Sequence, residues 1–307
     1  MLARGYPARM PPDLQDGLVA RPIRTADLDA VVEMVNACEF HDSGEQMLER
    51  ADLLADADVE GFDPEADWLC VADGERIVAF AFLDGSRRAY VDVHPDVRGR
   101  GIGTWLRRWS EARASELGAP RIHQTIDDQR ADVVSLLSAA GYEPRGTSWI
   151  LRMDHPERPG PPIPPAGIEL RAFRPADEDE ALAMFERAFS GFADREPTPV
   201  STWRSMVTRR EGFEPEDLVL AVADGRIVGG AFLVDADEIW VDKLAVAREH
   251  RHRGVARALL QTAFVRSFDR GYTWTSLSTD SRTGALSLYE RVGMTIHRSF
   301  TRLALDL

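Results

Sequence analysis

The chain has few cysteines and no long apolar run, and each absence excludes a class of protein. Its 307 residues include two cysteines, Cys38 and Cys70, which supply neither a disulfide framework nor the spacing of metal ligands. Cys70 lies in an apolar strand pattern, so buried free thiols are expected. No apolar run approaches the length of a membrane span, so no membrane partner is predicted. Because the cysteines lack the spacing of metal ligands, no metal site is predicted either.

The chain is also short of positive charge. It has 37 Lys and Arg residues against 51 Asp and Glu residues, a formal net charge of −14 and a pI near 5.0. This balance argues against a nucleic-acid partner, which would need a basic surface, and it weakly favours a cationic acceptor such as an amine. Residues 1–12 lack the apolar core of a secretory signal, so a cytoplasmic location is expected.

The length of the chain favours two domains, and a proline-rich segment marks the boundary between them. The segment His155–Pro165 cannot continue a helix or a central strand, so it is predicted to be a semi-rigid linker. The expected parts are a flexible lead-in at residues 1–16, a first domain at 17–154, the linker at 155–166 and a second domain at 167–307.

The order of elements begins again after the linker. Residues Gly167–Asp177 restate Gly17–Asp27, with two arginines and one aspartate in step, and Val222–Val228 restates Val71–Val78 with one residue dropped. The two copies are one domain apart, too far for a solenoid period, which indicates a fused duplication. The mixed order of strands and helices predicts α/β layers with a largely antiparallel sheet.

Each half contains an apolar strand, then an arginine-rich turn with glycine, then a helical pattern. The first glycine turn is Arg98–Gly103 and the second is Arg251–Ala256. Glycine lets the backbone bend and lets a ligand approach closely. The helix that follows directs free backbone N–H groups and the positive end of its dipole into the turn. Each turn is therefore a predicted site for a pyrophosphate.

Both turns carry the pattern Arg-x-x-Gly-x-Gly/Ala between a strand and a helix. This pattern resembles the acetyl-coenzyme A (acetyl-CoA) signature of the GCN5-related N-acetyltransferases (GNAT). A second feature of that family, a helix that ends in glycine and an aromatic or apolar residue, matches Gly141–Tyr142 and Gly293–Met294. The dinucleotide-binding spacing Gly-x-Gly-x-x-Gly is absent from the sequence. The resemblance covers nearly the whole chain, twice.

The resemblance implies an α/β (α+β) fold of two tandem GNAT-like domains, each a mixed, largely antiparallel sheet flanked by helices. It also implies that acetyl-CoA is the cosubstrate. The residues expected to bind it lie in the turns and the strands before them: Leu244, Ala245, Val246, Arg251, His252, Arg253, Gly254, Val255, Ala256, Val93, Arg98, Gly99, Arg100, Gly101 and Gly103.

In the resembling family a backbone N–H of the fourth strand binds the oxyanion, and a tyrosine four residues before the closing glycine often protonates the leaving thiolate. That position is Tyr289 in the second half and Leu137 in the first, and leucine cannot donate a proton. Tyr289 is therefore a candidate catalytic residue, with a purely packing role as the alternative. The first domain is expected to be non-catalytic, whether or not it binds the coenzyme.

Asp242 is the candidate base, acting directly or through a water. If no bulge interrupts the fourth strand of the second half, period two places Asp242, Leu244 and Val246 on one face. The alternative is a charged residue that binds the amine or faces solvent.

These features predict an N-acetyltransferase that transfers acetyl from acetyl-CoA to a primary amine, with its working site in the second domain. The acceptor is expected to be a small molecule or a protein or peptide amine, and the chain a monomer or homodimer. The alternative function is a non-catalytic acyl-CoA sensor in which both turns hold ligand.

Overall fold

The computed structural model describes residues 14, 17–46, 48–57, 62–85, 87–190 and 197–307. Most of the predicted lead-in at residues 1–16 lies outside these described residues. The chain forms two compact units: the first contains the residues up to Arg145 together with Thr301–Leu307, and the second is Gly146–Phe300. The sequence predicted that each domain is one continuous segment of the chain. The structure instead assigns residues 146–166, including the predicted linker at 155–166, to the second unit and residues 301–307 to the first.

The first unit contains five strands of its own and the end of the last strand of the chain. Its elements are β1 Leu18–Pro22, α1 Leu28–Ser43, α2 Arg50–Ala57, α3 Pro64–Asp67, β2 Trp68–Asp73, β3 Arg76–Asp84, β4 Arg88–Val93, α4 Ile102–Glu116, β5 Arg121–Asp127 and α5 Ala131–Ala139. Its sheet has the order β1-β2-β3-β4-β5, followed by the C-terminal end of β12, Thr295–Asp306. Neighbours from β1 to β4 are antiparallel and β4 and β5 are parallel.

The second unit repeats this plan. Its elements are β6 Glu143–Asp154, which enters it at residue 146, β7 Glu169–Ala172, α6 Glu178–Phe189, α7 Val200–Met206, β8 Leu218–Ala223, β9 Arg226–Asp235, β10 Ile239–Val246, α8 Val255–Asp269, β11 Trp274–Asp280 and α9 Leu286–Arg291. Its sheet has the order β7-β8-β9-β10-β11-β6, with β10 and β11 parallel and the other pairs antiparallel. The predicted α/β fold with largely antiparallel sheets is confirmed.

Each sheet is covered by helices on both faces, so its central strands are buried on both sides. In β8, Leu218 and Leu220 pack with α6 and α7, whereas Val219 and Ala221 pack with α8. This two-sided burial explains why the strand is apolar throughout instead of alternating. In the first unit α1 and α4 cover the two faces in the same way.

One ion-pair motif occurs in each unit and supports the duplication at the level of contacts. Arg21 binds Asp27 through two hydrogen bonds of 2.6 and 2.9 Å, and Arg171 binds Asp177 at 2.6 and 2.8 Å. Both guanidiniums tie the first strand of a unit to the turn that opens its first helix. These are the arginines and aspartates that the sequence places in step.

Both cysteines are buried and free, as predicted. Burial raises the pKa of the Cys38 thiol to about 12 and that of Cys70 to about 11, so neither forms a thiolate at neutral pH. Among the residues that the structure describes, no helix is long and apolar enough to cross a membrane.

Candidate active site

A bulge interrupts β10 at Asp242. Val241 pairs with Leu233 of β9 and Lys243 pairs with the next residue back, Phe232, so Asp242 is an extra residue without an opposite partner on β9. In the first unit, β4 pairs with β3 from Ala79↔Val93 to Asp84↔Arg88 without a shift. A bulge bends its strand and leaves one residue out of the ladder. The bulge therefore distinguishes the second unit from the first.

The parallel strands β10 and β11 separate just beyond this bulge. Their pairing covers Ile239–Val241 and Thr275–Leu277, and within the described residues it extends no further. The edge of Lys243–Val246 that faces β11 is therefore left open. In the first unit the separation starts earlier, since among the residues that the structure describes β4 and β5 are paired only at Arg88↔His123. An opening between parallel strands exposes backbone N–H and C=O groups that a ligand can bind.

The second glycine turn lies at the end of β10 and begins the 15-residue helix α8. Gly254 caps this helix with a φ of 89°, in the left-handed region that favours glycine, and Gly101 caps α4 in the first unit with a φ of 80°. A Cβ at Gly254 would meet only Pro165 Cγ at 3.7 Å, so the space above the turn is open. An exposed turn at the N-terminus of a long helix suits a diphosphate.

The first arginine of each turn supports the backbone, contrary to the simple expectation that it reaches for phosphate. Arg251 donates from Nε to Val246 O at 3.0 Å and from Nη2 to Ala188 O at 2.9 Å. Arg98 donates from Nε to Val93 O, also at 3.0 Å. Both arginines thus close the turn back onto the strand before it. Anion contacts at the second turn are left to its backbone N–H groups and its other cations.

In the first unit, a carboxylate of the protein is hydrogen-bonded to the Arg98 guanidinium of the glycine turn. Asp42, near the end of α1, accepts two hydrogen bonds from Arg98 at 2.7 and 2.8 Å and a further one from Arg130, which caps α5. These cations hold the pKa of Asp42 below its usual value despite partial burial. Asp42 therefore links the turn after β4 to the loop after β5, across the gap where those strands separate.

Tyr289 is buried on α9, with 7% of its surface exposed, and it packs in the apolar cluster beneath α8. Its carbonyl accepts hydrogen bonds from the amides of Val292 and Met294. Leu137 O accepts the corresponding two bonds in the first unit, from residues 140 and 142. The two side chains therefore stand at the same position of the fold. Burial raises the pKa of Tyr289 to about 12, which keeps its hydroxyl protonated.

The structure brings most of the expected coenzyme residues of the second unit together with Tyr289. Val246 and Val255 are buried in the same apolar cluster, and Leu244 and Ala256 pack against it. Arg251, His252, Arg253 and Gly254 form the exposed rim of the turn, with His252 in a left-handed conformation at a φ of 60°. Ala245 packs on the opposite face of the sheet.

The expected residues of the first unit keep the shape of the turn, but the arginines of that turn already have carboxylate partners. Gly99 and Gly101 are exposed, each with a φ of 80°. Val93 lies beside Gly103, since a Cβ there would meet Val93 Cγ2 at 3.7 Å. Arg100 donates to Asp73 at 3.2 Å. Both arginines of this turn are thus paired with carboxylates of the protein.

Asp242 does not share a face with Leu244 and Val246, so the expectation based on an unbroken period of two is wrong. Leu244 and Val246 belong to the cluster beneath α8, whereas Asp242 is the exposed bulge residue and forms an ion pair with Lys243. A bulge shifts the alternation of side chains by one. The sequence of β10 alone does not reveal this shift, because the position of a bulge depends on how β10 pairs with β9.

Two threonine hydroxyl groups of the second unit form a hydrogen-bonded pair that the sequence did not predict. Thr279 lies on β11, where its hydroxyl lowers the pKa of Tyr289 against the larger effect of burial, and its Oγ1 is 2.8 Å from Thr283 Oγ1. Thr283 is exposed and donates to Asp280 O at 2.8 Å. By alignment of the two copies, the first unit has Ile126 in place of Thr279. This difference, a polar residue in the second unit and an apolar one in the first, is the feature of the sequence that could have identified Thr279.

The comparisons with known proteins agree with this geometry. Residues 28–142 and 179–294 each match the model described as the Acetyltransferase (GNAT) family. The chain belongs to this family. Its two GNAT domains are confirmed, and as a member it is an N-acetyltransferase that uses acetyl-CoA, in agreement with the prediction of an enzyme.

Several relatives share the two-domain arrangement over almost their whole length. The mycothiol acetyltransferase of Thermobispora bispora is 30% identical, over 92% of this chain and 95% of that protein, and that of Catenulispora acidiphila is 28% identical, over 91% and 95%. The crystal structure of a GCN5-related N-acetyltransferase from Sphaerobacter thermophilus is 31% identical, with a TM-score of 0.77 over 96% of this chain and 97% of that one. A tandem GNAT protein of the clavulanic acid pathway shares the fold, with a TM-score of 0.70 at 18% identity.

Proposed function

We propose that the second unit catalyses acetyl transfer from acetyl-CoA to a primary amine, and that the first unit is non-catalytic. The observation that carries this proposal is the pair Tyr289 and Leu137, which stand at the same position of the fold. A tyrosine with its pKa raised to about 12 remains a proton donor throughout the neutral range. A leucine offers no proton, so only the second unit can protonate the leaving thiolate in this way.

The bulge in β10 supports the same assignment. The oxyanion that forms when an amine attacks the thioester needs a hydrogen-bond donor that is already in place. Beyond Asp242, the edge of β10 that faces β11 is open within the described residues, so the amides there can serve as that donor. In the first unit the β3–β4 ladder has no shift, so β4 has no such bulge where its edge opens.

The Asp42 contacts indicate that the first unit does not hold the coenzyme. A diphosphate at the first turn would compete with a carboxylate that already takes two hydrogen bonds from Arg98 and one from Arg130. In the second unit, Arg251 donates to a neutral carbonyl, Ala188 O, so no fixed negative charge opposes the ligand at that contact. We propose that acetyl-CoA binds only at the second turn.

Asp242 remains our proposed base, although it lies at the bulge and not on the face that was expected. Its carboxylate is exposed and an ion pair with Lys243 holds it at the point where β10 and β11 separate. An incoming ammonium must lose a proton before it can attack, and an accessible carboxylate can accept that proton directly or through a water. The acceptor is proposed to approach from this side.

The acceptor is proposed to be a small-molecule amine. Two relatives that cover more than nine-tenths of the chain are named mycothiol acetyltransferase. The non-acetylated form of mycothiol is therefore the first amine to test, within a screen that also contains peptide amines. The expected cytoplasmic location belongs to the same proposal.

The test of Tyr289 is its replacement by phenylalanine. Tyr289→Phe keeps the ring and its packing and removes only the proton donor. General acid catalysis contributes about 10²–10⁴-fold, so kcat should fall by that amount while KM for acetyl-CoA stays the same. Initial rates of thiol release from acetyl-CoA, in the presence of the acceptor, measure both constants.

A normal kcat in Tyr289→Phe would show that the tyrosine only packs α9. A raised KM with a normal kcat would make it a binding residue instead. Leu137→Ala, at the matching position of the first unit, serves as the control for packing, and it should leave the kcat of the folded protein unchanged.

A further inference from the structure

The proline-rich segment before the second domain packs along α8 and ends beside the second glycine turn. Arg158 donates two hydrogen bonds of 2.8 and 2.9 Å to Asp269, the last residue of α8. At the other end of the helix, a Cβ on Gly254 would meet Pro165 Cγ at 3.7 Å. Residues 158–165, here called the strap, therefore run from the C-terminal end of α8 to its N-terminal cap.

The strap presents apolar side chains to solvent close to the turn. Ile163 is 76% exposed, the highest value among the large apolar residues that the structure describes, and Pro164 is exposed as well. The amide of Ile163 donates to Gln261 Oε1 of α8 at 3.2 Å, which fixes this part of the strap on the helix. An apolar surface that is already held in place packs against a ligand at a lower entropic cost.

An exposed arginine lies between the two points at which the strap contacts α8. Gly254, Arg257 and Gln261 follow one another at helical spacing, so they form one row along the outer face of the helix. Within the part of the chain that the structure describes, the Arg257 guanidinium has no ion pair or hydrogen bond, and the same holds for Arg253 of the turn. In a chain of net charge −14, two neighbouring arginines without acidic partners indicate a site for an anion.

The first unit does not offer this pair of cations. By alignment of the two copies, Arg100 corresponds to Arg253, and it donates to Asp73 at 3.2 Å. Thr104 corresponds to Arg257 and carries no charge. Among the described residues, the unpaired cations therefore lie in the unit that is proposed to hold the coenzyme.

The coenzyme carries two groups that match this surface. Its thioester arm leads from the diphosphate toward Tyr289, so its adenosine leaves the turn on the opposite side of the diphosphate. The ribose of that adenosine bears a 3′-phosphate with about −2 charge, which a guanidinium binds through paired N–H donors. Adenine is flat and largely apolar, and it can pack against Ile163 and Pro164.

We propose that Arg257 binds the 3′-phosphate of the coenzyme and that Ile163 and Pro164 of the strap contact its adenine ring. This inference rests on the proposed binding of acetyl-CoA at the second turn. It makes Arg257 a specificity-determining residue, because the 3′-phosphate is what distinguishes CoA from its dephosphorylated precursor. The strap then acts as part of the coenzyme site and not only as a connection between domains.

The experiment measures, by calorimetry on the full-length protein, the affinities for CoA and for 3′-dephospho-CoA, which differ only in that phosphate. The unmodified protein should bind CoA at least about tenfold more tightly, since charge-assisted hydrogen bonds to the phosphate are lost in the second ligand. Arg257→Gln should lower the affinity for CoA about tenfold and leave that for dephospho-CoA unchanged, so the preference disappears. The melting temperature should not change, because the side chain is exposed.

Ile163→Ser tests the strap separately. It should weaken both ligands about threefold or more, because both contain the adenine ring. Arg108→Gln is the control for charge: Arg108 is exposed on α4 of the first unit, and its replacement changes the net charge of the protein by the same amount. This control should bind both ligands like the unmodified protein.

The outcomes separate this inference from the proposed function. Equal affinities of the unmodified protein for the two ligands, or a preference for CoA that persists in Arg257→Gln, would overturn the role of Arg257. Unchanged affinities in Ile163→Ser would overturn the adenine contact. If Gly254→Glu removes the binding of both ligands while these variants behave normally, only the further inference fails. Full binding by folded Gly254→Glu would instead contradict the proposed coenzyme site itself.

Discussion

Tyr289 and Asp242 carry the proposed chemistry, and different kinds of contact fix their positions. Tyr289 could be identified because its distance from Gly293 along one helix is fixed by the helix itself. The face of Asp242 could not be identified, because it depends on the bulge in β10 and hence on the pairing with another strand. Thr279 was missed for a similar reason, since it meets Tyr289 only after β11 and α9 have packed.

Asp242→Asn tests the proposed base. At about pH 7 most amine acceptors are protonated, so loss of the carboxylate should lower kcat/KM for the amine by about 10²-fold. The loss should shrink as the pH approaches the pKa of the acceptor, because free amine then needs no base. Rates measured between about pH 6.5 and 9.5 show this trend, with the exposed Asp237→Asn as the control. A loss that does not change with pH would indicate that Asp242 binds the amine instead.

Paired elements of the two units differ in ways that their similar sequences conceal. The two glycine turns have the same pattern and the same capping glycine, and this much was predictable. Asp42 was not, because it lies 56 residues before Arg98 and reaches the turn only through the packing of α1 on the sheet. Likewise, β10 has one more residue than β4 between positions that correspond in the two units. This extra residue, Asp242, forms the bulge.

Removal of the Asp42 charge should open the first turn to the coenzyme. In a Gly254→Glu background, which blocks the second turn, the protein should bind no acetyl-CoA. Addition of Asp42→Asn removes the carboxylate from the Arg98 Nη groups and one of the two carboxylate partners of Arg130. Each charge-assisted hydrogen bond to a phosphate contributes about 1.5–3 kcal/mol. Calorimetry should then detect one site per chain.

Asp132→Asn is the matched control for this experiment. Asp132 also binds Arg130, at 3.0 Å, but it is exposed, and in the described part of the chain its side-chain hydrogen bonds are with Arg130 and not with Arg98. Binding by the Gly254→Glu protein alone would show that the first turn is open without any change at Asp42. A folded Asp42→Asn, Gly254→Glu protein that still binds nothing would show that Asp42 is not the obstacle.

At the scale of the whole molecule, the number of domains and their fold could be predicted from the sequence. Which residues belong to each unit could not. The linker and the repeat indicate two domains, and both GNAT domains are confirmed. The assignment of residues 301–307 to the first unit was not predicted, although Leu303 is fully buried there beside Leu83 and Ile122. An alternating strand pattern specifies which residues face a core, but it does not specify which sheet the strand joins.

A pair of glycine substitutions determines whether one unit of the two performs catalysis. Gly254→Glu and Gly101→Glu each place a side chain and a negative charge at the cap of a helix, where a φ of 89° or 80° already disfavours any residue but glycine. Circular dichroism and the melting temperature establish that both variants are folded before thiol release from acetyl-CoA is measured. We expect Gly254→Glu to abolish turnover and to reduce acetyl-CoA affinity at least about tenfold, below what calorimetry detects, and Gly101→Glu to retain most of the activity. Equal loss in the two folded variants, or loss in Gly101→Glu alone, would contradict the assignment of catalysis to the second unit.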